Sequence, residues 1–295
     1  MNIIKISILI LVSSLFVACN TKEEQTVEAK EQRYNRENPL EHHEIALEVL
    51  EASKAWIKAF NQGDAKTCVE GYAEDAVMSA MPFGIKYNQG EIDSFWTPFI
   101  ASGATNLVYT NVSIEVANSE TVFLSASWSM NVGEGKIYQE KWVKQNNNWV
   151  LAYDDFEVLK QYEMPQVNET NPIGSHLELE GVIKASMEWT KGFNQHDATV
   201  CEAGYTSNAT MNAVPFAALN DKASIGEFWT GLIKQGAANL IYHNPVFTST
   251  GKGRAILSSL WSMNIGDGKI YQEKWVKEGE EWLLSYDEFA VLAQY

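Results

Sequence analysis

The sequence has few basic residues, and this argues against one broad class of function. Its 295 residues contain 22 Lys and Arg against 38 Asp and Glu, which gives a formal net charge of −16. Proteins that bind nucleic acid need a basic surface, and the sequence has no cluster of Lys and Arg. Anionic membrane surfaces are unfavourable for the same reason, and acidity of this size is typical of a well-solvated surface. We therefore expect no nucleic-acid partner.

The sequence also lacks the short motifs that carry cofactor, metal or nucleophilic chemistry. It has no glycine-rich phosphate loop, no Cys-x-x-Cys pair and no pattern that indicates a Ser-His-Asp triad. His42 and His43 adjoin two glutamates, but a metal site would need further ligands held in a fixed geometry. The sequence therefore predicts no cofactor and no metal, and it places these two histidines in a solvated linker.

Long hydrophobic runs are missing except near the start of the chain. Ile6–Val17 is apolar apart from three serines. Such a run is too short for a typical membrane-spanning helix and suits the core of a signal peptide.

The end of this run, Leu15–Cys19, resembles a bacterial lipobox, in which the cysteine receives lipid such as palmitate and becomes the new N-terminus. The segment Lys22–Glu24 resembles the surface-export signal of Bacteroidota lipoproteins. The resemblance implies lipidation of Cys19 and a membrane partner reached through that lipid. It implies an anchored protein of the bacterial cell envelope, at the outer membrane and exposed at the surface. An ordinary signal peptide or an uncleaved anchor is the alternative.

The most informative feature of the sequence is an internal repeat. Residues 52–162, shifted by 133 positions, lie on residues 185–295 without a gap, and about half of the positions are identical. The densest match is Trp128–Lys144 against Trp261–Lys277. A period of this length indicates a duplicated domain and not a solenoid of short repeats.

Composition divides the chain into segments. The predicted boundaries are a signal peptide at 1–19, a polar tether at 20–43, a first domain at 44–162, a linker at 163–176 and a second domain at 177–295.

Each copy begins with helical spacing and continues with strand-like alternation. The apolar positions at helical intervals in the first copy are Val49, Ala52, Trp56 and Phe60. Leu124–Met130 instead alternates apolar and polar residues, as a strand with one buried face does. Helices followed by an antiparallel meander of strands predict an α+β fold.

Cys68 and Cys201 are equivalent positions of the repeat. A cell-envelope location would permit a disulfide between them, provided that their Cα atoms lie within about 7 Å. The alternative, which we favour, is one small buried core residue in each domain.

Several segments occur in an order and spacing that resemble a known family. They are Trp56–Asp64, Tyr72–Val77, Ile92–Trp96 and Trp149 in the first copy, and Trp189–Asp197 and Tyr205–Ala209 in the second. They resemble the SnoaL-like domains of the nuclear transport factor 2-like superfamily, over nearly all of the first copy. The resemblance implies two tandem cone-shaped domains, each with three N-terminal helices packed on a curved antiparallel sheet and a pocket at the open end. Members include ketosteroid isomerase, polyketide cyclases, dehydratases and non-enzymatic binding or assembly domains, so the fold alone fixes no function.

One departure from the family pattern concerns the general base of the isomerases. The resemblance places Ala80 at that position in the first copy and Ala213 in the second. Alanine accepts no proton, so the sequence argues against isomerase-type enolisation in both copies.

Two predicted neighbouring strands carry the groups that could still act on a substrate. Lys141 would lie near Asp154 or Asp155 as a pocket acid–base pair, and the alternative is an ion pair on the solvated face of the sheet. The candidate catalytic residues are Tyr153, Asp154, Asp155, Tyr286, Asp287 and Glu288.

A set of Trp, Met and Tyr side chains is the candidate lining of an apolar ligand cavity, and ordinary core packing is the alternative. Its members are Trp56, Met78, Trp96, Trp128, Met130, Tyr138, Trp189, Met211, Trp229, Trp261, Met263 and Tyr271.

The sequence thus favours a non-catalytic protein that binds a small apolar or amphipathic ligand or serves in an assembly. The alternative is a lyase, isomerase or cyclase that acts on a small hydrophobic substrate. We also expect the copies to pack as an intramolecular pseudo-dimer through Trp128–Lys144 and Trp261–Lys277, because a twofold interface uses the same patch on both partners.

Overall fold

The computed structural model describes residues 38–167 and 169–295. The predicted signal peptide, Cys19 and the tether up to residue 37 lie outside the described residues. Within the described ranges, no helix combines the length and the apolar content that a membrane crossing requires.

The first copy of the repeat begins with helices and ends in a meander of strands. Its helices are α1 (Glu41–Asn61), α2 (Ala65–Glu70) and α3 (Asn88–Ala101), and its strands are β1 (Tyr72–Met81), β2 (Gly84–Tyr87), β3 (Val108–Asn118), β4 (Thr121–Met130), β5 (Gly133–Gln145) and β6 (Asn148–Gln161).

The second copy has the same elements in the same order, and the α+β prediction is confirmed. Its helices are α4 (Gly174–Asn194), α5 (Ala198–Ala203) and α6 (Lys222–Lys234), and its strands are β7 (Tyr205–Val214), β8 (Ala217–Leu219), β9 (Ile241–Gly251), β10 (Arg254–Met263), β11 (Gly266–Glu278) and β12 (Glu281–Gln294).

Two predicted boundaries need correction. Helix α1 begins at Glu41, inside the predicted tether, and α4 begins at Gly174, inside the predicted linker. His43 is consequently fully buried and is not part of a solvated linker. The reason is that the apolar stripe of α1 extends towards its N-terminus through Ile45 and Ala46, which are both buried.

The apolar stripe of α1 holds this helix against the sheet, because Val49, Ile57 and Phe60 are fully buried. The next helix begins at a capping residue in each copy. The Asp64 carboxylate accepts a hydrogen bond from the Thr67 backbone N–H at 3.0 Å, and Asp197 caps α5 in the same way.

The strands of the described ranges form a continuous sheet in the order β2-β1-β6-β5-β4-β3-β9-β10-β11-β12-β7-β8. Most neighbours are antiparallel, but β1 runs parallel to β6 and β7 runs parallel to β12. The prediction of an antiparallel sheet therefore misses one parallel pair in each copy. Because α3 and the rest of the meander separate β1 from β6 in the chain, no hairpin constrains their direction.

The two copies join at β3 and β9, where Ser113, Ile114 and Glu115 lie opposite Thr248, Phe247 and Val246. We expected the copies to join through Trp128–Lys144 and Trp261–Lys277. That expectation is wrong, because the junction lies on β3 and β9. Those segments lie in strands that are paired on both sides within their own copy, so they have no free edge. The edge strand of each meander is the one that can pair with the other copy.

Helices α1 and α4 also pack against each other at this junction. His43 Nε2 lies 3.0 Å from Ser186 Oγ, and His176 Nε2 lies 3.0 Å from Ser53 Oγ. Both histidines and both serines are equivalent positions of the repeat, so the two contacts follow an approximate twofold symmetry.

These buried histidines predict how stability depends on pH. Burial lowers the pKa of His43 and of His176 to about 3, below the ordinary value of 6.5. As pH falls, the unfolded chain therefore protonates at a higher pH than the folded chain does. The contribution of the two neutral histidines to folding stability is complete above about pH 6.5 and is lost as pH falls towards 3.

We expect the variant His43→Gln/His176→Gln to lose less stability between pH 6.5 and 4.5 than the natural protein. The difference is up to about 1.4 kcal/mol per pH unit for each histidine. Urea unfolding at several pH values measures it. His196→Asn is the control, because His196 is exposed in a left-handed turn that asparagine also adopts. Parallel pH profiles for the double variant and the natural protein would contradict the prediction.

Candidate functional site

Each copy buries a glutamate and an aspartate side by side on neighbouring strands. Glu140 lies opposite Asp154 in the β5–β6 pair, and Glu273 lies opposite Asp287 in the β11–β12 pair. Directly opposite residues of an antiparallel pair have Cβ atoms about 4.5–5.5 Å apart. All four side chains are 3–5% exposed. We call each Glu–Asp couple a carboxyl pair.

The aspartate of each pair accepts a hydrogen bond from a tyrosine. Tyr72 Oη donates to Asp154 Oδ2 at 2.7 Å, and Tyr205 Oη donates to Asp287 Oδ2 at the same distance. Each of these hydroxyls in turn accepts a hydrogen bond from a tryptophan of α3 or α6, Trp96 in the first copy and Trp229 in the second. The tyrosine hydroxyl is thereby oriented from both sides.

The glutamate of each pair is held at both oxygens. In the second copy, Tyr242 Oη donates to Glu273 Oε1 at 2.8 Å and Trp275 Nε1 donates to Oε2 at 3.0 Å. Tyr109 and Trp142 hold Glu140 in the same way in the first copy. Buried polar groups need such partners, because an unsatisfied one costs about 1–3 kcal/mol.

The carboxyl pairs retain protons at neutral pH. Burial, together with the adjacent aspartate, raises the pKa of Glu140 and of Glu273 to about 8. Burial raises the pKa of Asp154 and of Asp287 to about 7, against the lowering effect of the tyrosine hydrogen bond. Two like charges this close cannot both form in a site without a cation, so each pair holds at least one proton near pH 7.

The carboxyl pair of the second copy lies against an open cavity of about 450 Å³. Eight aromatic side chains contribute to its wall, namely Trp189, Tyr205, Phe216, Phe228, Trp229, Tyr242, Trp261 and Phe289. Glu227, Gln235 and Gln294, which also line it, are exposed. A volume of about 300–1,000 Å³ with an apolar wall and a few convergent polar groups is characteristic of small-molecule sites. We call this space the copy 2 cavity.

The equivalent space of the first copy is only about 50 Å³. Phe99 stacks on Phe95 with centroids 6.0 Å apart, and Phe95 meets Phe83 at 5.8 Å. In the second copy Leu232 replaces Phe99, and Phe216, the counterpart of Phe83, makes no ring contact with a described residue. A row of contacting phenylalanine rings therefore fills the first copy, and the row is interrupted in the second.

Several predicted lining residues do face these spaces. Trp189, Trp229, Trp261 and Met263 line the copy 2 cavity, and Trp56, Trp96, Trp128 and Met130 line the small space of the first copy. Met78 and Met211 are fully buried but belong to neither lining. Their sulfurs instead lie 3.9 Å from the hydroxyls of Tyr72 and Tyr205.

Tyr138 and Tyr271 were expected to line a cavity and do not. They are 53% and 49% exposed. The register of β5 with β6 shifts between Ile137 and Gln139, and β11 shifts at the equivalent place. A bulge of this kind reverses which face of the sheet the next side chains point to. Strict alternation counted back from the buried Trp142 would place Tyr138 on the inner face, but the bulge turns it to the outer face.

Among the candidate catalytic residues only Asp154 and Asp287 point inward. Tyr153, Asp155, Tyr286 and Glu288 are partly exposed and line neither cavity. Lys141 lies opposite Tyr153, and the residue opposite Asp154 is Glu140. The predicted acid–base partner of the aspartate is therefore a second acid and not a lysine.

Ala80 and Ala213 are fully buried and belong to neither lining. The partners of the aspartates are absent from the candidate residues that the sequence predicts, namely Glu140, Glu273, Tyr72, Tyr205, Tyr109 and Tyr242. Their identity in both copies was a usable signal, because a buried polar residue must keep its partner when a domain is duplicated.

Cys68 and Cys201 are free and fully buried, one in each copy, so the disulfide alternative is wrong. Burial raises the pKa of each thiol to about 12, and a thiol in this state is a poor nucleophile. Within residues 38–167 and 169–295, no group of three or more His, Cys, Asp or Glu side chains is placed to hold a metal ion.

No family model matches the chain, and no curated protein matches it. Solved structures do match, each over about two fifths of the chain. A ketosteroid isomerase-like protein from Erwinia carotovora atroseptica is 15% identical and matches over 39% of this chain and 97% of its own, with a TM-score of 0.34.

Two further solved structures of unknown function match in the same way. A nuclear transport factor 2-like protein from Pseudomonas putida is 11% identical over 39% of this chain and 87% of its own, with a TM-score of 0.35. A protein with a cystatin-like fold from Nostoc punctiforme is 16% identical over 38% of this chain and 89% of its own, with a TM-score of 0.34.

The carboxyl pairs predict a loss of stability as pH rises towards and through neutrality. The folded-state pKa of each aspartate is raised to about 7, above its ordinary value of 3.8. The contribution of the protonated aspartates to folding stability is therefore complete below about pH 4 and is lost as pH rises through 7.

We expect Asp154→Asn/Asp287→Asn to lose less unfolding free energy between pH 6 and 9 than the natural protein, by about 1.4 kcal/mol in total for each aspartate, because a group with a pKa of about 7 has released most of its protons by pH 8. Asparagine keeps an oxygen for the tyrosine hydroxyl but cannot ionise. Urea unfolding at pH 6 and 9 measures the change, with the exposed Glu120→Gln as control. An equal loss of unfolding free energy in the double variant and the natural protein over this interval would refute the assignment.

Proposed function

We propose that the protein binds a small apolar or amphipathic molecule in the copy 2 cavity. The observation that carries the proposal is the open space of about 450 Å³ with an aromatic wall and a carboxyl pair beside it. Aromatic side chains bury large apolar areas and retain their shape, so they favour flat, hydrophobic ligands. The first copy has the same carboxyl pair but a space of only about 50 Å³, so it binds no such molecule.

Comparison with known cavities supports this division of roles. An engineered apolar cavity of about 150 Å³ holds a benzene molecule. The copy 2 cavity exceeds that volume and the space of the first copy falls well short of it. One ligand per chain is therefore the expected stoichiometry.

A second candidate function is proton transfer on the bound molecule, as in a lyase, isomerase or cyclase. The observation that favours it is the pKa of the Glu273–Asp287 carboxyls, raised to about 8 and about 7, because acids poised near neutrality exchange protons readily. The same pair persists in the nearly closed first copy, which favours a structural role and places binding ahead of catalysis. Mass spectrometry of the ligand after incubation separates the two, because an enzyme would change its chemical identity.

The location in the cell is proposed from the sequence alone. We infer that Cys19 carries lipid and anchors the protein in the bacterial envelope, with the domains on a polar tether. Radioactive palmitate fed to cells is expected to label the natural protein and not Cys19→Ser. Equal labelling of both would overturn the anchor.

A substitution that reduces the volume of the copy 2 cavity tests whether the ligand binds there. Leu232→Phe places a ring where the first copy has Phe99, so the copy 2 cavity shrinks. We expect its affinity for 2-ethylnaphthalene, measured by equilibrium dialysis, to fall about tenfold or more, which corresponds to about 1.4 kcal/mol of lost contact.

Phe99→Leu is the matched control, because it changes the equivalent position of the first copy and leaves the copy 2 cavity intact. Its binding through that cavity should equal that of the natural protein. Undiminished affinity in Leu232→Phe, or no binding by the natural protein, would show that the cavity is not the site.

A further inference from the structure

The copy 2 cavity contains acidic side chains and no basic ones. Its lining includes Glu227, Glu273 and Asp287 but no Lys, Arg or His from the described ranges. Most buried acids are compensated by a nearby cation, because an isolated negative charge is costly to remove from water. Here the protein supplies none, so a cation would have to come from the ligand.

Asp287 has one oxygen available to a ligand. Its Oδ2 accepts the hydrogen bond from Tyr205, and the structure gives Oδ1 no hydrogen-bond partner among the described residues. Both oxygens of Glu273 are already occupied by Tyr242 and Trp275. Asp287 is 4% exposed and lines the cavity, so Oδ1 is the acidic oxygen best placed to meet a bound group.

The exposed part of the cavity lining also carries an acidic side chain, which favours a cationic ligand. Glu227 on α6 occupies the position that Ser94 holds on α3 of the first copy. The copy with the open cavity is therefore also the copy with an additional acid beside it. An exposed acid there raises the local concentration of cations, as does the net charge of −16.

The aromatic wall is also compatible with a positive charge. Trp189, Trp229 and Trp261 line the cavity together with two tyrosines. The faces of Trp and Tyr rings attract ammonium groups, most strongly where water is excluded. The wall can therefore receive both the apolar body of a ligand and a cationic group.

We propose that the ligand of the copy 2 cavity is an apolar amine, which binds as its ammonium ion and donates a hydrogen bond to Asp287 Oδ1. This inference rests on the proposed binding function and specifies the chemical class of the ligand.

Binding of an ammonium group beside Asp287 is coupled to the release of a proton from the carboxyl pair. Groups that face Asp287 are Glu273 from β11, Tyr205 from β7, Tyr242 from β9 and, farther out in the lining, Glu227 from α6. Ammonium binding favours the ionised carboxyl pair, so a proton leaves the pair when the ligand enters near or below neutral pH. Affinity therefore rises with pH between 6 and 8, where an aliphatic amine, with a pKa of about 10, stays protonated.

The experiment compares two molecules of almost equal shape, 2-(2-naphthyl)ethylamine and 2-(2-naphthyl)ethanol, by equilibrium dialysis with the natural protein. We expect the amine to bind about tenfold more tightly than the alcohol at pH 8, because hydrogen bonds to charged groups are the stronger ones. The affinity for the amine should rise several-fold from pH 6 to pH 8, and that for the alcohol should not.

Asp287→Asn tests the named oxygen and Asp154→Asn is its matched control in the nearly closed copy. The first variant should lose about tenfold in amine affinity at pH 8 with little change for the alcohol. The control should match the natural protein. Because the pH dependence is measured on the natural protein, the proposal stays testable even if Asp287→Asn folds poorly.

The outcomes separate the two proposals. Equal affinity for the amine and the alcohol at pH 8 would overturn the amine assignment, and so would an equal loss of affinity for both in Asp287→Asn. In either case, binding of 2-ethylnaphthalene would still support the cavity as a binding site. Failure of all three molecules to bind overturns both.

Discussion

The inner edge of each six-stranded half of the sheet is the constraint on which the arrangement of the molecule depends. β3 and β9 end their own sheets, and an unpaired edge leaves backbone N–H and C=O groups open to any other strand. Pairing the two edges with each other satisfies these groups. It also brings α1 and α4 together, and this contact encloses His43 and His176. The outer edges, β2 and β8, are only 4 and 3 residues long, which limits pairing there.

Within each copy, the sheet presents a carboxyl pair to the space beneath the helices, and the same hydrogen bonds support it twice. The surroundings of the pair then decide what it can do. A row of contacting phenylalanine rings fills the first copy, whereas Leu232 interrupts the row in the second and leaves a cavity. One scaffold thus supports both a packed core and an open site, and the difference depends on a few side chains of one helix and one hairpin.

The sequence predicts the elements well, because periodicity is a local property. Helical spacing around Trp56 and alternation around Trp128 both correspond to observed elements. The facing of side chains on β5 and β6 was not predictable, because a bulge adds a residue without a clear sequence signal. Tyr138 was therefore misplaced and Glu140 was overlooked. The size of the cavity was also unpredictable, since it depends on how Phe83, Phe95 and Phe99 contact one another.

The covalent connection between the copies has an evolutionary consequence. In a homodimer encoded by one gene, a substitution such as Phe to Leu alters both subunits together, so both sites open or both close. Here residues 99 and 232 are separate codons, and each can mutate alone. Fusion therefore lets one half specialise as scaffold while the other is free to acquire ligand selectivity.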